Sequence, residues 1–276
     1  MKIPPSLRTK FLKEAISNGL KLLTYDIETS HMLVRTFYIG SKVSIFHKQI
    51  KKPSQVISIQ YKWATDKHAK YLVWDKVDTN EFDDSNMLKE FSTNILPNAD
   101  IIVGQNNDRF DFTTLNERAK ALKLEILDQK PSIDILKLSR KSFRAASHKL
   151  DFRSQQQGLG GKITMVDDDW VDIEERGVSP TKKMIPYGLK DVEDTEKVMW
   201  NELPYYKDLP SAVEKTILSF LEAPSKTATP RYIPKYKGKP HCSACKAKHQ
   251  ARFDVVKVKG NTYKCNRCNT KFKGDK

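Results

Sequence analysis

Four acidic residues lie in three separated parts of the chain, at positions where burying a carboxylate is costly. Asp26 and Glu28 end the apolar run 20–25, Asp111 follows a second apolar run, and Asp191 lies in a segment of helical spacing. A two-residue spacing on a strand puts Asp26 and Glu28 on one face. Carboxylates that converge repel one another unless cations lie between them, and hard divalent ions prefer oxygen ligands. The pattern therefore favours a site for Mg²⁺ or Mn²⁺.

Each acid taken alone has an ordinary structural explanation. Asp26 and Glu28 fit a solvated strand end. Asp111 fits an acid that complements a helix dipole, and Asp191 fits an exposed helix surface. A further acidic cluster at 167–169 has no apolar strand beside it, and three consecutive side chains cannot all point inward. We interpret that cluster as a solvated loop.

The first 222 residues alternate predicted strands and helices, the pattern of an α/β fold. Runs of β-branched and aromatic residues predict strands at 20–25, 56–63, 71–74 and 100–104. Apolar residues at helical spacing predict helices at 85–96, 109–122, 132–143, 150–157, 187–202 and 211–222, with Pro186 before the fifth. The chain has no run of membrane-spanning length and begins without the apolar core of a secretion signal, so we expect a cytoplasmic protein.

Positive charge is concentrated towards the C-terminus. Of the net charge of +15, residues 226–276 supply +13, from 15 Lys and Arg against two acids, and residues 1–225 supply only +2. A concentrated basic segment predicts a polyanionic partner, either nucleic acid or an anionic surface. The alternative is a solvated tail that only keeps the protein soluble.

The basic tail also contains all the cysteines of the chain, which are Cys242, Cys245, Cys265 and Cys268. Two CxxC pairs separated by nineteen residues match a four-cysteine zinc site. Alternation at 253–258 before Gly260 predicts a hairpin between the pairs. We therefore expect a zinc ribbon with one structural Zn²⁺ at 241–276, after a proline- and lysine-rich linker at 223–240. Its interleaved basic and aromatic residues suit single-stranded nucleic acid, with protein docking as the alternative.

Three ordered motifs resemble those of DEDD, or DnaQ-like, 3′→5′ exonucleases. They are Thr24-Tyr-Asp26-Ile-Glu28-Thr29, Gly104-Gln-Asn106-Asn-Asp-Arg-Phe110-Asp111 and Tyr187-Gly-Leu-Lys-Asp191. The third has the Y-x3-D form, and Pro186 stands where the histidine branch of the family has its His. Over roughly residues 20–205, the chain is similar to the proofreading domains of family-B DNA polymerases and to free-standing exonucleases of phages, so it resembles the DEDDy branch.

The resemblance implies a ribonuclease-H-like fold for residues 1–222, with a mixed five-stranded sheet flanked by helices. The implied ligands of two Mg²⁺ or Mn²⁺ ions are Asp26, Glu28, Asp111 and Asp191. The implied contacts to the terminal nucleotide are Thr29, Asn106 and Phe110, although Phe110 also fits a core position on its helix. The implied reaction is two-metal hydrolysis from the 3′ end, which releases nucleoside 5′-monophosphates, with Tyr187 orienting the attacking water.

Two other functions remain open from the sequence. One is a non-catalytic nucleic-acid-binding protein with structural acids, although binding alone needs no cluster of metal-ligating carboxylates. The other is a structure-selective endonuclease on a related fold, which a 3′-blocked oligonucleotide distinguishes from an exonuclease. The expected partners are nucleic acid, DNA in particular, and a replication or recombination protein that contacts the zinc ribbon. We expect no membrane partner, and the host cytoplasm as the location if the chain is phage-encoded.

Overall fold

The computed structural model describes residues 2–37, 40, 43–78, 81–125, 127–160 and 163–222, together with three short strands between 255 and 273. The chain divides into two compact units, Met1–Ser225 and Lys226–Lys276. The predicted linker at 223–240 lies outside the described residues. None of the helices in the described part of the chain is both long enough and apolar enough to cross a membrane.

The first unit combines strands and helices in the alternating order that the sequence predicts. Its described strands are β1 (Leu22–Thr29), β2 (Leu33–Val34), β3 (Ile50–Lys52), β4 (Val56–Trp63), β5 (Lys70–Val73), β6 (Asp75–Asp78), β7 (Glu81–Asp83), β8 (Ile101–Gly104) and β9 (Ser132–Asp134). Its described α-helices are α1 (Arg8–Ser17), α2 (Ser85–Glu90), α3 (Asp111–Ala121), α4 (Ile135–Ser142), α5 (Leu150–Gln156), α6 (Asp167–Glu174), α7 (Met184–Glu202) and α8 (Ser211–Glu222). After α2 the chain continues through a π-helical turn at Phe91–Ile95 and a 3₁₀ turn at Leu96–Asn98.

The central sheet has five strands in the order β5-β4-β1-β8-β9. β4 is antiparallel to both of its neighbours, whereas β1, β8 and β9 run parallel. Helices flank this mixed sheet, which is consistent with the ribonuclease-H-like fold that the motifs imply. β2 pairs with β3 and β6 with β7 in two smaller antiparallel ribbons outside the main sheet.

Two apolar clusters cover the two faces of the sheet, and β1 contributes to both. Leu23, Tyr25 and Ile27 pack with Leu115 of α3 in one cluster. Leu22 packs in the other cluster, against residues of α1, α7 and α8. Each fully buried aliphatic side chain of this kind contributes about 1.5–3 kcal/mol relative to exposure. The alternation leaves Thr24, Asp26 and Glu28 on the face towards α7, so the sheet core fixes where the acids lie.

Three local predictions were wrong. The predicted helix at 132–143 is strand β9 followed by α4, because the Asp134 carboxylate caps the helix by accepting from the Lys137 backbone N–H at 3.1 Å. Pro186 lies in the first turn of α7 rather than before it, where a missing N–H costs no helical hydrogen bond. Residues 167–169 begin α6 instead of forming a loop, and their charges complement the helix dipole.

The second unit contains an antiparallel sheet of β10 (Val255–Lys259), β11 (Thr262–Cys265) and β12 (Lys271–Lys273). The β10–β11 pair agrees with the hairpin predicted between the cysteine pairs. Cys242, Cys245 and Cys268 lie outside the described residues, and Cys265 ends β11. The zinc site therefore stays a prediction.

Candidate active site

The end of β1 places two carboxylates beside the antiparallel strand β4. Asp26 pairs with Gln60 and Glu28 with Ser58, and the register shifts by one residue after Glu28. The Asp26 and Glu28 side chains are half-buried, whereas Gln60 and Ser58 are fully buried. Both acids therefore lie beside buried polar side chains of β4 rather than at a fully solvated strand end.

Asp111 reaches the backbone of β1 from the first residue of α3. Its Oδ1 accepts a hydrogen bond from the Ile27 backbone N–H at 3.0 Å, and its side chain is buried. Ile27 lies between Asp26 and Glu28 in the strand, so this bond fixes the first residue of α3 to the acidic end of β1. Burial raises the pKa of Asp111 to about 7, and the negative charge of Asp134 adds to the rise, whereas the hydrogen bond from Ile27 opposes it.

Asp134, which sequence reasoning missed, holds the loop that leads to Asp111. Its carboxylate accepts from the Asn106 backbone N–H at 3.1 Å, in addition to capping α4. Asn106 has a φ of 67°, in the left-handed region that asparagine adopts more readily than most residues. A Cβ at Gly104 would lie 2.6 Å from the Asn107 Cβ, so the loop closes tightly on the end of β8. The predicted helix at 132–143 placed Asp134 inside the helix, so its position as the N-cap was not visible from the sequence.

Tyr187 and Asp191 occupy the same face of α7, one turn apart. The Tyr187 phenol hydrogen-bonds to the Asp191 carboxylate. Burial raises the pKa of Tyr187 well above its ordinary value, and the negative charges of Asp191, Glu28 and Asp26 raise it further. The Tyr187 hydroxyl therefore stays protonated at neutral pH and acts as a hydrogen-bond donor beside all three acids.

α7 lies against β4 at the point where it carries Tyr187. A Cβ at Gly188 would lie 2.5 Å from Gln60 Cδ, so only glycine fits without a movement. Gln60 Nε2 donates to Ser58 Oγ at 2.8 Å, and further along the helix Lys62 pairs with Glu196 at 2.5 Å. The glycine and the buried polar row of β4 together fix the distance of α7 from the sheet.

The electrostatics of these residues suit a cation. The charges that act on the Tyr187 pKa are all carboxylates, and the charge that acts on the Asp111 pKa is the carboxylate of Asp134. Carboxylate oxygens are the ligands that Mg²⁺ and Mn²⁺ prefer, so the donor chemistry fits a divalent ion. Within the described residues, no three carboxylate, imidazole or thiolate groups already form a cluster arranged to hold a metal ion.

The residues expected to contact a substrate lie next to these acids in the chain. Thr29 is the half-buried last residue of β1, and its carbonyl accepts from Trp170 Nε1 at 3.2 Å. Phe110 directly precedes α3 with 44% of its surface exposed, so it is not the core residue that its spacing also allowed. Asn106 is half-buried in the loop before it. An exposed ring beside Asp111 is available for stacking.

No family model and no curated protein matches the chain. Among solved structures, it resembles the family B DNA polymerase from the hyperthermophilic archaeon Pyrobaculum calidifontis, with a TM-score of 0.50 and 19% sequence identity. The match covers 67% of this chain, which spans only 25% of the polymerase chain. At this identity the likeness shows the fold alone.

Proposed function

We propose that the protein is a metal-dependent 3′→5′ exonuclease that acts on nucleic acid, preferentially single-stranded DNA. The observation that carries the proposal is the hydrogen bond from the Ile27 backbone to Asp111, which joins the first two motifs at one point. The surroundings of Tyr187 add the third motif, because Asp191, Glu28 and Asp26 all act on its hydroxyl. The fold likeness to a family B DNA polymerase supports the same assignment.

The acids of the site would hold two Mg²⁺ or Mn²⁺ ions. The ligands would be Asp26, Glu28, Asp111 and Asp191. When bound, the ions would supply a water of lowered pKa and stabilise the charge on the leaving 3′ oxygen. The rise in the pKa of Asp111 also fits this role, because a cation nearby would return the carboxyl to its charged form.

Tyr187 would position the attacking water rather than take its proton. A phenol whose pKa is raised stays protonated at neutral pH, so it cannot take the proton of the water. Because its proton is donated to Asp191, the Tyr187 oxygen would accept a hydrogen bond from the water and hold it on the side of the acids. Phe110 would stack on the terminal base, and Thr29 and Asn106 would contact the terminal nucleotide.

The tail, residues 226–276, would provide a second contact with nucleic acid that takes no part in catalysis. We assign one structural Zn²⁺ to Cys242, Cys245, Cys265 and Cys268. With 15 basic residues against two acids, residues 226–276 have the charge of a nucleic-acid-binding module. The alternative is that a replication or recombination protein docks on this unit. Deleting the unit distinguishes this docking from nucleic-acid binding.

A ladder assay tests the proposed activity. Single-stranded DNA and RNA labelled at the 5′ end are incubated with the full chain in Mg²⁺, in Mn²⁺ and in EDTA. We expect a ladder of products shortened one nucleotide at a time, only with metal, and release of nucleoside 5′-monophosphates. A 3′-blocked oligonucleotide should resist. Internal cleavage of the blocked substrate would instead identify an endonuclease, and no cleavage of any substrate would refute the proposal.

A matched pair of variants assigns the activity to this site. Asp26→Ala should abolish hydrolysis, whereas Asp167→Ala, in the exposed acidic first turn of α6, should not change it. Both variants remove one carboxylate from the body of the protein. Hydrolysis by the Asp26→Ala protein at the wild-type rate would show that the four acids are structural.

A further inference from the structure

A basic segment follows β1 directly, within a body whose charge is otherwise nearly balanced. Between Glu28 and Asp66 the chain contains no acidic residue. The described residues between 31 and 52, called the basic arm below, carry four positive charges, at Arg35, Lys48, Lys51 and Lys52. The ion pairs of the described residues include neither Arg35 nor the lysines at 48, 51 and 52. The arm therefore presents positive charge that the fold itself does not neutralise.

The base of the basic arm is fixed to the body. The Ser30 backbone N–H donates to the Gln55 carbonyl, and the Gln55 N–H donates to Ser30 Oγ, both at 2.9 Å. Ser54 Oγ donates to the Ser30 carbonyl at 2.6 Å. From α6, Glu174 accepts from the His31 backbone N–H at 3.0 Å. The two ends of the arm are thus held together beside the end of β1.

The arm also exposes large apolar side chains. Phe37 is 100% exposed and Phe46 is 67% exposed, and Leu33 is 57% exposed on β2. Phe46 is held in place by its backbone, because its N–H donates to Gln49 Oε1 at 2.7 Å. Gln49 also donates from Nε2 to the Arg35 carbonyl at 3.2 Å, which ties the two strands of the arm together. Phe46 is therefore presented to solvent on a hydrogen-bonded ribbon, and Phe37 follows the first strand of that ribbon by three residues.

We propose that the basic arm binds the single-stranded segment of nucleic acid that leads into the active site, with bases stacked on Phe37 and Phe46. Exposed rings beside cations that form no ion pair within the described residues suit a single strand, because its bases offer open faces and its backbone offers negative charge. In a duplex the base faces are already covered by stacking. This inference rests on the proposed exonuclease function for the direction in which the strand runs, but not for the binding itself.

The position of the arm relative to the acids suits such a strand. Leu33, the first residue of β2, follows Glu28 by five residues, so their Cα atoms are at most about 18 Å apart. A strand with its 3′ end at Glu28 would therefore meet the arm within a few nucleotides. The arm would hold the strand behind the terminal nucleotide, whereas Phe110 would contact the terminal base itself.

Fluorescence anisotropy with a 5′-labelled oligothymidylate tests the proposal. The full chain carries Asp26→Ala so that the probe survives, and no chelator is added so that the tail stays intact. Phe37→Ala and Phe46→Ala should each raise Kd at least about fivefold, from the usual contribution of one base stacked on an aromatic ring. Tyr71→Ala, at a 44% exposed tyrosine of the edge strand β5, is the matched control and should leave Kd unchanged.

Charge is tested in the same assay by varying salt. Combining Lys48→Ala with Lys51→Ala should reduce the slope of log Kd against log salt by about 1.4, at about 0.7 per phosphate contact on a single strand. Lys10→Ala, on the exposed surface of α1, should leave the slope unchanged. A blunt duplex probe should lose far less affinity than the single strand in the phenylalanine variants.

Several results would overturn the proposal. Unchanged Kd in both phenylalanine variants would do so, as would an equal loss of affinity for single strand and duplex. A change of molecular mass in the Phe46→Ala protein at constant Kd would assign the rings to self-association instead. If the wild type with metal cleaves nothing but the phenylalanine variants still lose affinity, binding by the arm is supported and the exonuclease function is refuted. If the wild type cleaves and the variants bind normally, only the arm proposal falls.

Discussion

Replacing Gly188 by alanine tests whether the approach of α7 to the sheet sets the activity. The new Cβ would lie 2.5 Å from Gln60 Cδ, whereas ordinary contacts begin near 3.4 Å. The two atoms must therefore move apart by about 0.9 Å. Gln60 is fully buried and its Nε2 donates to Ser58, so a shift of its side chain would cost this hydrogen bond. We expect α7 to move instead, and Tyr187 and Asp191 to move with it.

Two effects on stability oppose each other in this variant. Alanine favours a helix over glycine by about 1 kcal/mol, whereas overpacking a core costs about 1–3 kcal/mol. The free energy of unfolding should therefore fall by no more than about 2 kcal/mol. A misplacement near 1 Å at a reacting centre can cost about 100-fold in rate, so hydrolysis should fall far more than stability.

The assay compares Gly188→Ala in the wild-type background and in a Gln60→Ala background. Urea unfolding gives stability, and the rate of shortening of 5′-labelled DNA gives activity. Removing the Gln60 side chain makes room for the new methyl group, so the alanine should cost much less activity in the second background. Wild-type activity in the single variant, or an equal loss in both backgrounds, would show that the approach of α7 to the sheet does not set the activity.

Three further predictions concern the acids, the tyrosine and the tail. Burial raises the pKa of Asp111, so the metal-free protein should lose stability as pH rises from about 4 to about 7, where the folded state holds a proton that the unfolded state has released. Asp111→Asn keeps an oxygen to accept from Ile27, so it should fold, lack this pH dependence in thermal unfolding and hydrolyse no DNA. Tyr187→Phe should lower kcat about 10- to 100-fold with little change in KM, and an unchanged kcat would exclude a role in positioning water. Deleting residues 226–276 should weaken DNA binding and flatten its salt dependence, and an unchanged slope would favour protein docking.

The sequence was sufficient for the parts of the fold that repeat a clear pattern. β4 begins and ends where its β-branched and aromatic run does, at Val56 and Trp63. β9 was missed because it has only three residues, which is too short for any alternation to be visible before the helix that follows. Asp134 was missed with it, because its role depends on contacts with Asn106 and Lys137 rather than on a motif.

Other features of the site depend on distances that no local pattern contains. The fit of Gly188 against Gln60 joins residues more than a hundred positions apart, so only the packed structure reveals it. Net charge was misleading in one respect. Residues 1–225 are nearly balanced as a whole, but the stretch between Glu28 and Asp66 contains basic residues and no acidic ones. The sequence shows the charge of that stretch, but only the structure shows that Phe37 and Phe46 are exposed on it.

Diffraction from crystals soaked in Mn²⁺, recorded at a wavelength where manganese scatters anomalously, tests the metal site most directly. We expect anomalous peaks within coordination distance of the carboxylates of Asp26, Glu28, Asp111 and Asp191, and their loss in the Asp26→Ala protein. Carboxylates that stay apart in the soaked crystal, with no peak among them, would contradict this expectation.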